Sequence, residues 1–132
     1  MHFLLDTHIL LWTLYCPEKL PRDIRNILEH DDSDIEYSIV SLWEIELKHS
    51  KYEGEFLFTA RDTYQDAQIS GLHMMELSPS HIITLGRLNK PKKDHKDPFD
   101  RMLIAQSKFT NSYLITHDRN LTLYEEDCVR YF

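Results

Sequence analysis

The sequence lacks the features that mark secreted, membrane-spanning and disulfide-linked proteins. It has only two cysteines, Cys16 and Cys128. Because two distant cysteines do not form a disulfide framework, we expect a reducing, cytoplasmic location. No apolar run approaches the roughly 20 residues that cross a membrane, so no membrane partner is expected. Residues 1–6 lack a basic segment and already include an acid, so we expect no signal peptide.

The sequence also lacks an excess of positive charge. Fifteen Lys and Arg residues stand against 22 Asp and Glu, which gives a net charge of −7. A surface that coats nucleic acid would be basic, so the balance argues against that class of protein. A nuclease remains compatible with it, because cations bound to site carboxylates restore attraction for phosphate. The acidity could also favour a basic protein partner.

What is present describes an ordinary globular domain. The chain has 132 residues, of which 42% are hydrophobic and 28% charged. This length suits one domain with its own core, so we assign residues 1–132 to a single domain. No internal repeat, linker or low-complexity segment interrupts the sequence.

Apolar runs and helical periodicities alternate along the chain. We predict strands at 3–5, 37–40, 72–77, 113–116 and 129–132. Helices are expected at 9–14, 21–28, 41–50, 59–70, 80–88 and 98–106. Strands separated by helices imply crossover connections, so we expect an α/β fold. Its mostly parallel central sheet, of about four to five strands, would be covered by helices on both faces.

The segment 95–106 opens as a charged loop and continues as an amphipathic helix. Pro98 suits the first helical position, where its missing N–H is not needed. Asp97 would then be the N-cap, and Asp100 would occupy the third helical position. Taken alone, this segment favours a structural interpretation, in which Asp97 caps the helix and Asp100 complements its dipole.

Further acids follow the predicted strands. Asp6 comes directly after the first strand, Glu44 lies one turn into the helix after the second, and Asp118 follows the fourth. Asp97 and Asp100 begin the helix that leads into that fourth strand. Because ligands of parallel α/β sheets bind beyond the carboxyl ends of the strands, we expect these acids to share one edge.

Clustered carboxylates repel one another unless protons or cations intervene. Oxygen-only ligands suit Mg²⁺ or Mn²⁺. These ions hold phosphate oxygens, lower the pKa of bound water and stabilise both the attacking and the leaving oxygen. The arrangement therefore predicts hydrolysis of a phosphodiester.

Each acid also has a structural interpretation. Glu44 could be the acceptor half of a capping box that begins at Ser41. Asp118 could form a turn, and Asp6 could cap the first helix. One shared site explains all the positions more simply than several coincidences do.

The same residues resemble a known family. Leu4-Leu5-Asp6-Thr7-His8, Glu44, the segment 97–106 and Ile115-Thr116-His117-Asp118 are similar to the motifs of PIN-domain nucleases, above all the VapC-type toxins of toxin–antitoxin pairs. The resemblance matches Asp6, Glu44, Asp100 and Asp118 to the family's four catalytic, metal-binding acids. His8 departs from the pattern, because the family often carries Asn there.

The resemblance implies a PIN-like three-layer α/β/α sandwich. It also implies Mg²⁺- or Mn²⁺-dependent cleavage of RNA, inhibition by a cognate antitoxin and frequent formation of a homodimer. Several residues beside the four acids are candidates for orienting them or contacting substrate. These are Thr7, His8, Asp97, Arg101, Thr116 and His117.

A lysine-rich loop precedes Asp97. Its default interpretation is a solvated surface, but its position also suggests contacts with RNA phosphates. The lysines concerned are Lys90, Lys92, Lys93 and Lys96. We expect Trp12, Trp43 and Phe99 to be core residues rather than platforms for bases.

Two other functions compete with the nuclease. A catalytically weak PIN fold could serve as a protein-binding module, although the four acids argue against it. A phosphotransfer domain would carry an acid pair at the end of its first strand. Here that strand ends in the single acid Asp6, so this class ranks low.

Overall fold

A computed structural model describes residues 1–132. Five strands form one sheet in which every neighbouring pair is parallel. Their bounds are β1 His2–Leu5, β2 Asp34–Ser38, β3 His73–Met75, β4 Tyr113–Thr116 and β5 Val129–Tyr131. The strand order is β3-β2-β1-β4-β5, so the first strand of the chain is the middle strand of the sheet.

Six α-helices connect the strands. They are α1 Thr7–Tyr15, α2 Arg22–Glu29, α3 Ile39–Lys51, α4 Ala60–Ile69, α5 Pro79–Thr84 and α6 Pro98–Thr110. Short 3₁₀ helices occupy Pro17–Lys19, Leu85–Arg87 and Arg119–Tyr124. No helix combines the length and the apolar character that crossing a membrane requires.

The core has two halves, one on each face of the sheet. Phe3 and Leu5 pack on one face against apolar residues of α1, α2, α3 and α4. Leu4 packs on the other face against Leu103 and Ile104 of α6. Successive residues of a strand alternate between faces, so β1 alone contributes to both halves. The predicted three-layer α/β/α architecture is confirmed, and its sheet is wholly parallel.

The register of the middle strand defines the functional edge. Leu5 of β1 pairs with Tyr37 of β2 on one side and with Ile115 of β4 on the other. The strand order changes direction at β1, because β2 and β3 lie on one side of it and β4 and β5 on the other. Such a switch point opens a crevice at the carboxyl ends of the strands, and Asp6 is the next residue.

The second strand and the helix after it begin earlier than the sequence predicts. The strand ends at Ser38, whose side chain caps α3 by accepting a hydrogen bond from the Val40 N–H at 3.0 Å. Ile39 and Val40 are β-branched, which favours a strand, but the cap at Ser38 draws them into the first turn of the helix. The predicted capping box of Ser41 and Glu44 is therefore wrong.

Several side chains are more exposed than predicted. The sequence of the helix at 59–70 offers Tyr64, Ala67 and Ile69 as candidates for burial; Ala67 is buried, but Tyr64 and Ile69 are exposed. Trp43, expected in the core, is 58% exposed. A helix in an outer layer buries only the stripe that faces the sheet and its neighbouring helices, so its remaining apolar residues face outward.

Candidate functional site

Asp6 lies where β1 ends and α1 begins. Its Oδ1 accepts a hydrogen bond from the Ile9 N–H at 2.8 Å, and its Oδ2 accepts one from the Thr116 hydroxyl. Burial raises the pKa of Asp6, and the hydrogen bonds from Thr116 and Ile9 lower it in part. Both carboxylate oxygens are thus fixed by neighbouring elements, which confirms the predicted helix cap.

Glu44 lies near the middle of α3, and its side chain is buried. The Thr7 hydroxyl donates to its Oε1 at 2.7 Å, and the Lys48 ammonium lies 3.0 Å from its Oε2. Thr7 also shares a hydrogen bond of 2.9 Å with the Ser41 hydroxyl. Thr7 and Ser41 therefore hold α1 and α3 together beside the carboxylate.

Asp97 and Asp100 open α6. The Asp97 Oδ1 accepts hydrogen bonds from the N–H groups of Phe99 at 2.9 Å and of Asp100 at 3.2 Å, as predicted for an N-cap. The Asp100 Oδ2 lies 3.3 Å from the His95 Nε2. The other nitrogen of that ring, Nδ1, is 2.9 Å from the Tyr124 hydroxyl, so the loop before α6 orients His95 towards Asp100.

Asp118 follows β4 and caps the 3₁₀ helix Arg119–Tyr124. Its Oδ1 accepts a hydrogen bond from the Asn120 N–H at 2.9 Å. Its own N–H donates to the Thr116 hydroxyl oxygen at 2.9 Å. Because the same hydroxyl donates to Asp6, Thr116 links two of the acids.

The electrostatics of Asp100 show that the acids converge. Burial and neighbouring charges together raise the pKa of Asp100 to about 8. The charges responsible, in decreasing order of effect, are those of Asp97, Glu44, Asp118 and Asp6. Acids up to 112 positions apart in sequence therefore act on one carboxyl group, as the parallel topology predicts.

The carboxylates of the cluster are the kind of ligand that a hard divalent cation prefers. All the converging groups are carboxylates, and one of them carries a pKa raised by its neighbours, which is the situation a divalent cation relieves. No three His, Cys, Asp or Glu side chains are arranged to hold a metal ion as they stand. Lys48 and His95 instead supply the nearest basic groups, to Glu44 and Asp100 respectively.

Three of the other predicted neighbours lie at the rim of the cluster. The charge of His8 lowers the pKa of Asp6. Arg101 forms no ion pair with a carboxylate, and its charge opposes in part the rise in the Tyr124 pKa that burial causes. His117 packs between the rings of Trp12 and Tyr131, each at 5.8 Å between centroids, so aromatic neighbours hold its ring.

The four lysines of the lysine-rich loop are all exposed. Lys92 pairs with Glu125 at 2.6 Å, and Lys96 lies 3.5 Å from Asp94. Lys90 and Lys93 form no ion pair. Local carboxylates therefore offset half of the positive charge that this loop could offer to RNA.

The sequence analysis missed two residues that contact the acids. Lys48 follows Glu44 by four positions, which is the spacing and order of a favourable helical ion pair, so a signal for it was present. His95 had no such signal. It reaches Asp100 only because the loop before α6 folds back onto Tyr124.

Comparisons with known proteins agree with the fold. The chain matches the family described as PIN domain over residues 3–126. It resembles VapBC2 of Rickettsia felis, solved with a DNA fragment from the promoter, at 18% identity and a TM-score of 0.71, over 100% of this chain and 99% of that one. It resembles DNA-bound VapBC of Salmonella typhimurium at 20% identity and a TM-score of 0.65, over 100% and 97% of the two chains. No curated protein matches the sequence.

Proposed function

Because the chain belongs to the PIN-domain family, we propose that it is a Mg²⁺- or Mn²⁺-dependent endoribonuclease and the toxin of a toxin–antitoxin pair. PIN domains are generally nucleases. The observation that carries the proposal is the convergence of carboxylates on Asp100, whose pKa they help to raise to about 8. Carboxylates that are buried together repel one another unless a cation compensates their charge. A cation bound there would in turn attract a phosphate.

We assign metal binding and catalysis to Asp6, Glu44, Asp100 and Asp118. When bound, Mg²⁺ or Mn²⁺ supplies a Lewis acid that polarises the phosphate and lowers the pKa of water. Thr7 and Thr116 orient the carboxylates of Glu44 and Asp6 through their hydroxyl groups.

Three basic residues surround the assigned acids. The Lys48 ammonium can exchange Glu44 for a substrate phosphate, because it is one-third exposed. We place His8 and Arg101 at the rim as groups that contact substrate.

RNA would approach over the exposed lysine-rich loop. Phosphate contacts are assigned to Lys90, Lys92, Lys93 and Lys96, whose ammonium groups lie on the surface just before the acids. Phosphate contacts of this type position a strand without reading its sequence.

The partners follow from the toxin assignment. Solved relatives of the same fold include toxin–antitoxin complexes, which supports a cognate antitoxin as partner. The net charge of −7 favours a basic segment of that antitoxin. We also propose a homodimer in the cytoplasm.

One observation favours a second function. The Lys48 ammonium already pairs with Glu44, the His95 ring lies against Asp100, and the acids are not arranged to hold a metal ion as they stand. A catalytically weak PIN fold that binds a protein partner would tolerate this arrangement. Activity with and without a cation separates the two functions.

The test measures cleavage of a labelled single-stranded RNA in Mg²⁺, in Mn²⁺ and in EDTA. We expect cleavage with either ion and none in EDTA. Glu44→Gln should abolish it, and Asp31→Asn, an acid in an exposed turn at the opposite end of the sheet, should not. Cleavage that persists in EDTA would contradict the metal mechanism. A folded protein that is inactive with both ions would favour the binding module.

A further inference from the structure

A cavity of about 320 Å³ adjoins the acidic cluster. It lies between the second half of α3 and the first turn of α6, and Glu44 and Asp97 form the wall nearest the cluster. Its volume is at the lower end of the ~300–1,000 Å³ of small-ligand sites. A ligand in this cavity would therefore be in contact with the site where phosphodiester hydrolysis is proposed.

Two lysines and two carboxylates line the cavity, so its lining has no net charge, and Glu44 already pairs with the Lys48 ammonium at 3.0 Å. Lys48 and Lys51 are one turn apart on α3 and both line it. Residues three positions apart on a helix share a face, so the two ammonium groups can act on one ligand. The Lys51 ammonium lies 5.3 Å from the centroid of the Tyr52 ring. Lys51 forms no ion pair with a carboxylate, so its ammonium is the group at this cavity that is available to an anion.

Aromatic rings complete the lining. Tyr52, the C-cap residue of α3, is 44% exposed. Phe99 lies opposite it on α6. The edge of the Trp43 ring supports Phe99, with 5.0 Å between centroids. Lysines that follow a phosphate backbone, combined with aromatic rings on which bases stack, are the features of sites for single-stranded nucleic acid.

We propose that this cavity binds one nucleotide of single-stranded RNA beside the bond that is cut. Tyr52 stacks on the base, and Lys51 contacts the phosphate. The inference rests on the proposed nuclease function. Bases of an RNA duplex are paired and stacked and do not offer their faces in this way, so the cavity selects single strands. A basic peptide is disfavoured by the Lys51 ammonium, which no carboxylate pairs.

The test compares Tyr52→Ala, Tyr52→Phe and Lys51→Gln with matched controls. Tyr64→Ala removes a tyrosine of similar exposure, 42% against 44%, from α4, and Arg22→Gln removes an exposed charge from α2. Steady-state cleavage of a single-stranded oligoribonucleotide in Mg²⁺ gives kcat and KM separately. Anisotropy of the labelled oligoribonucleotide, with each change made in an Asp118→Asn protein that cleaves slowly, gives affinity.

We expect Tyr52→Ala to raise KM and weaken binding by roughly 5- to 100-fold, the effect of losing one base–aromatic stack, with kcat changed far less. Tyr52→Phe keeps the ring and should behave as wild type. Lys51→Gln should reduce the slope of log affinity against log salt by about 0.7, the value for one contact with a single strand. Neither control should change KM or the slope.

Equal KM and affinity for Tyr52→Ala and Tyr64→Ala would overturn the inference, as would equal losses in Tyr52→Ala and Tyr52→Phe. If the wild-type protein binds the oligoribonucleotide through Tyr52 but does not cleave it, the proposed activity fails while the nucleotide site stands. If it cleaves and the variants cleave alike, only the nucleotide site fails. Melting curves of each variant confirm that the protein is folded.

Discussion

Asp100 is the residue at which the charge of the cluster is concentrated. Asp6 has hydrogen bonds to both of its oxygens, whereas the Asp100 carboxylate has only His95 beside it. A carboxylate with few donors and several acidic neighbours is most stable when protonated. In the absence of a cation, ionised Asp100 should therefore lower the stability of the fold.

The pH dependence of stability tests this interpretation of Asp100. Its pKa is about 8 in the folded protein, against an ordinary value of 3.8. Between these values the folded state holds a proton that the unfolded state has lost, so the free energy of unfolding falls as pH rises. Asp100→Asn should flatten this slope. Urea unfolding in EDTA at about pH 5, 6.5 and 8, which span this window, measures the slope.

At the alkaline end of that range, Asp100→Asn should be at least as stable as wild type in EDTA. The substitution gives up a helix-dipole interaction of ~0.3–1 kcal/mol, which relief of repulsion from several carboxylates should exceed. Mg²⁺ should raise the melting temperature of wild type more than that of the variant, since it binds only the folded site. A variant that melts lower at every pH, with no effect of Mg²⁺ on either protein, would show that Asp100 is only a helix residue.

Asp6 and Asp118 each cap a helix and also belong to the acidic cluster. Asp6 uses Oδ1 to cap α1 and Oδ2 to bind Thr116, and Asp118 caps a 3₁₀ helix while remaining close to Asp100. The structural interpretations of Asp6 and Asp118 are therefore correct without excluding the functional one. A sequence shows the cap, which is local, but the approach of Thr116 to Asp6 spans 110 positions and depends on the sheet.

At the scale of elements, the start of α6 combines two opposed effects in Asp97. Its carboxylate caps the helix through the N–H groups of Phe99 and Asp100. Its charge is also the largest carboxylate contribution to the raised pKa of Asp100. Serine can accept the same cap hydrogen bonds without a charge, so the two effects can be separated.

Asp97→Ser should equal or exceed wild type in stability in EDTA at neutral pH, because it keeps the cap and removes the repulsion. Asp97→Ala loses both and should be less stable than Asp97→Ser by ~1 kcal/mol, the usual value of an N-cap. Urea unfolding of the three proteins gives the comparison. Equal stability of the Ser and Ala variants would mean that the cap contributes nothing. A large loss in Asp97→Ser would mean that the charge itself stabilises α6.

Elements with strong local signals could be predicted from the sequence. The start of α6 was correct because Asp97 and Pro98 determine it through their own chemistry. The start of α3 was wrong because Ile39 and Val40 favour a strand locally. In the structure β2 pairs with β1 up to Tyr37, and the N-cap at Ser38 places Ile39 and Val40 in the helix despite this preference.

At the scale of the whole molecule, topology assembles the site. A wholly parallel sheet sends β1, β2 and β4 to one edge, so alternation of strands and helices was enough to predict that distant acids would meet. Contacts made by loops and surfaces were not predictable in this way. His95 reaches Asp100 through a loop of irregular structure, and Trp43 is exposed although its size favours burial.

The toxin assignment makes a prediction for the whole molecule in a cell. Expression of the wild-type chain without its partner should slow bacterial growth, because an unrestrained endoribonuclease degrades RNA. Asp6→Asn should relieve the effect. The asparagine oxygen can still accept from the Ile9 N–H, and its amide can donate to the Thr116 hydroxyl. The hydrogen bonds of Asp6 therefore have replacements, while one of the proposed metal ligands loses its charge.

The measurement is growth rate after induction, with the amount of folded protein determined in the same cultures. Asp31→Asn provides the control, since it removes one negative charge from an exposed turn and should slow growth as wild type does. Slow growth with Asp6→Asn would mean that the burden of expression, not the acidic site, causes the arrest. Normal growth with abundant folded wild-type protein would contradict the toxin assignment. It would favour the protein-binding module, which binds a partner without cutting RNA.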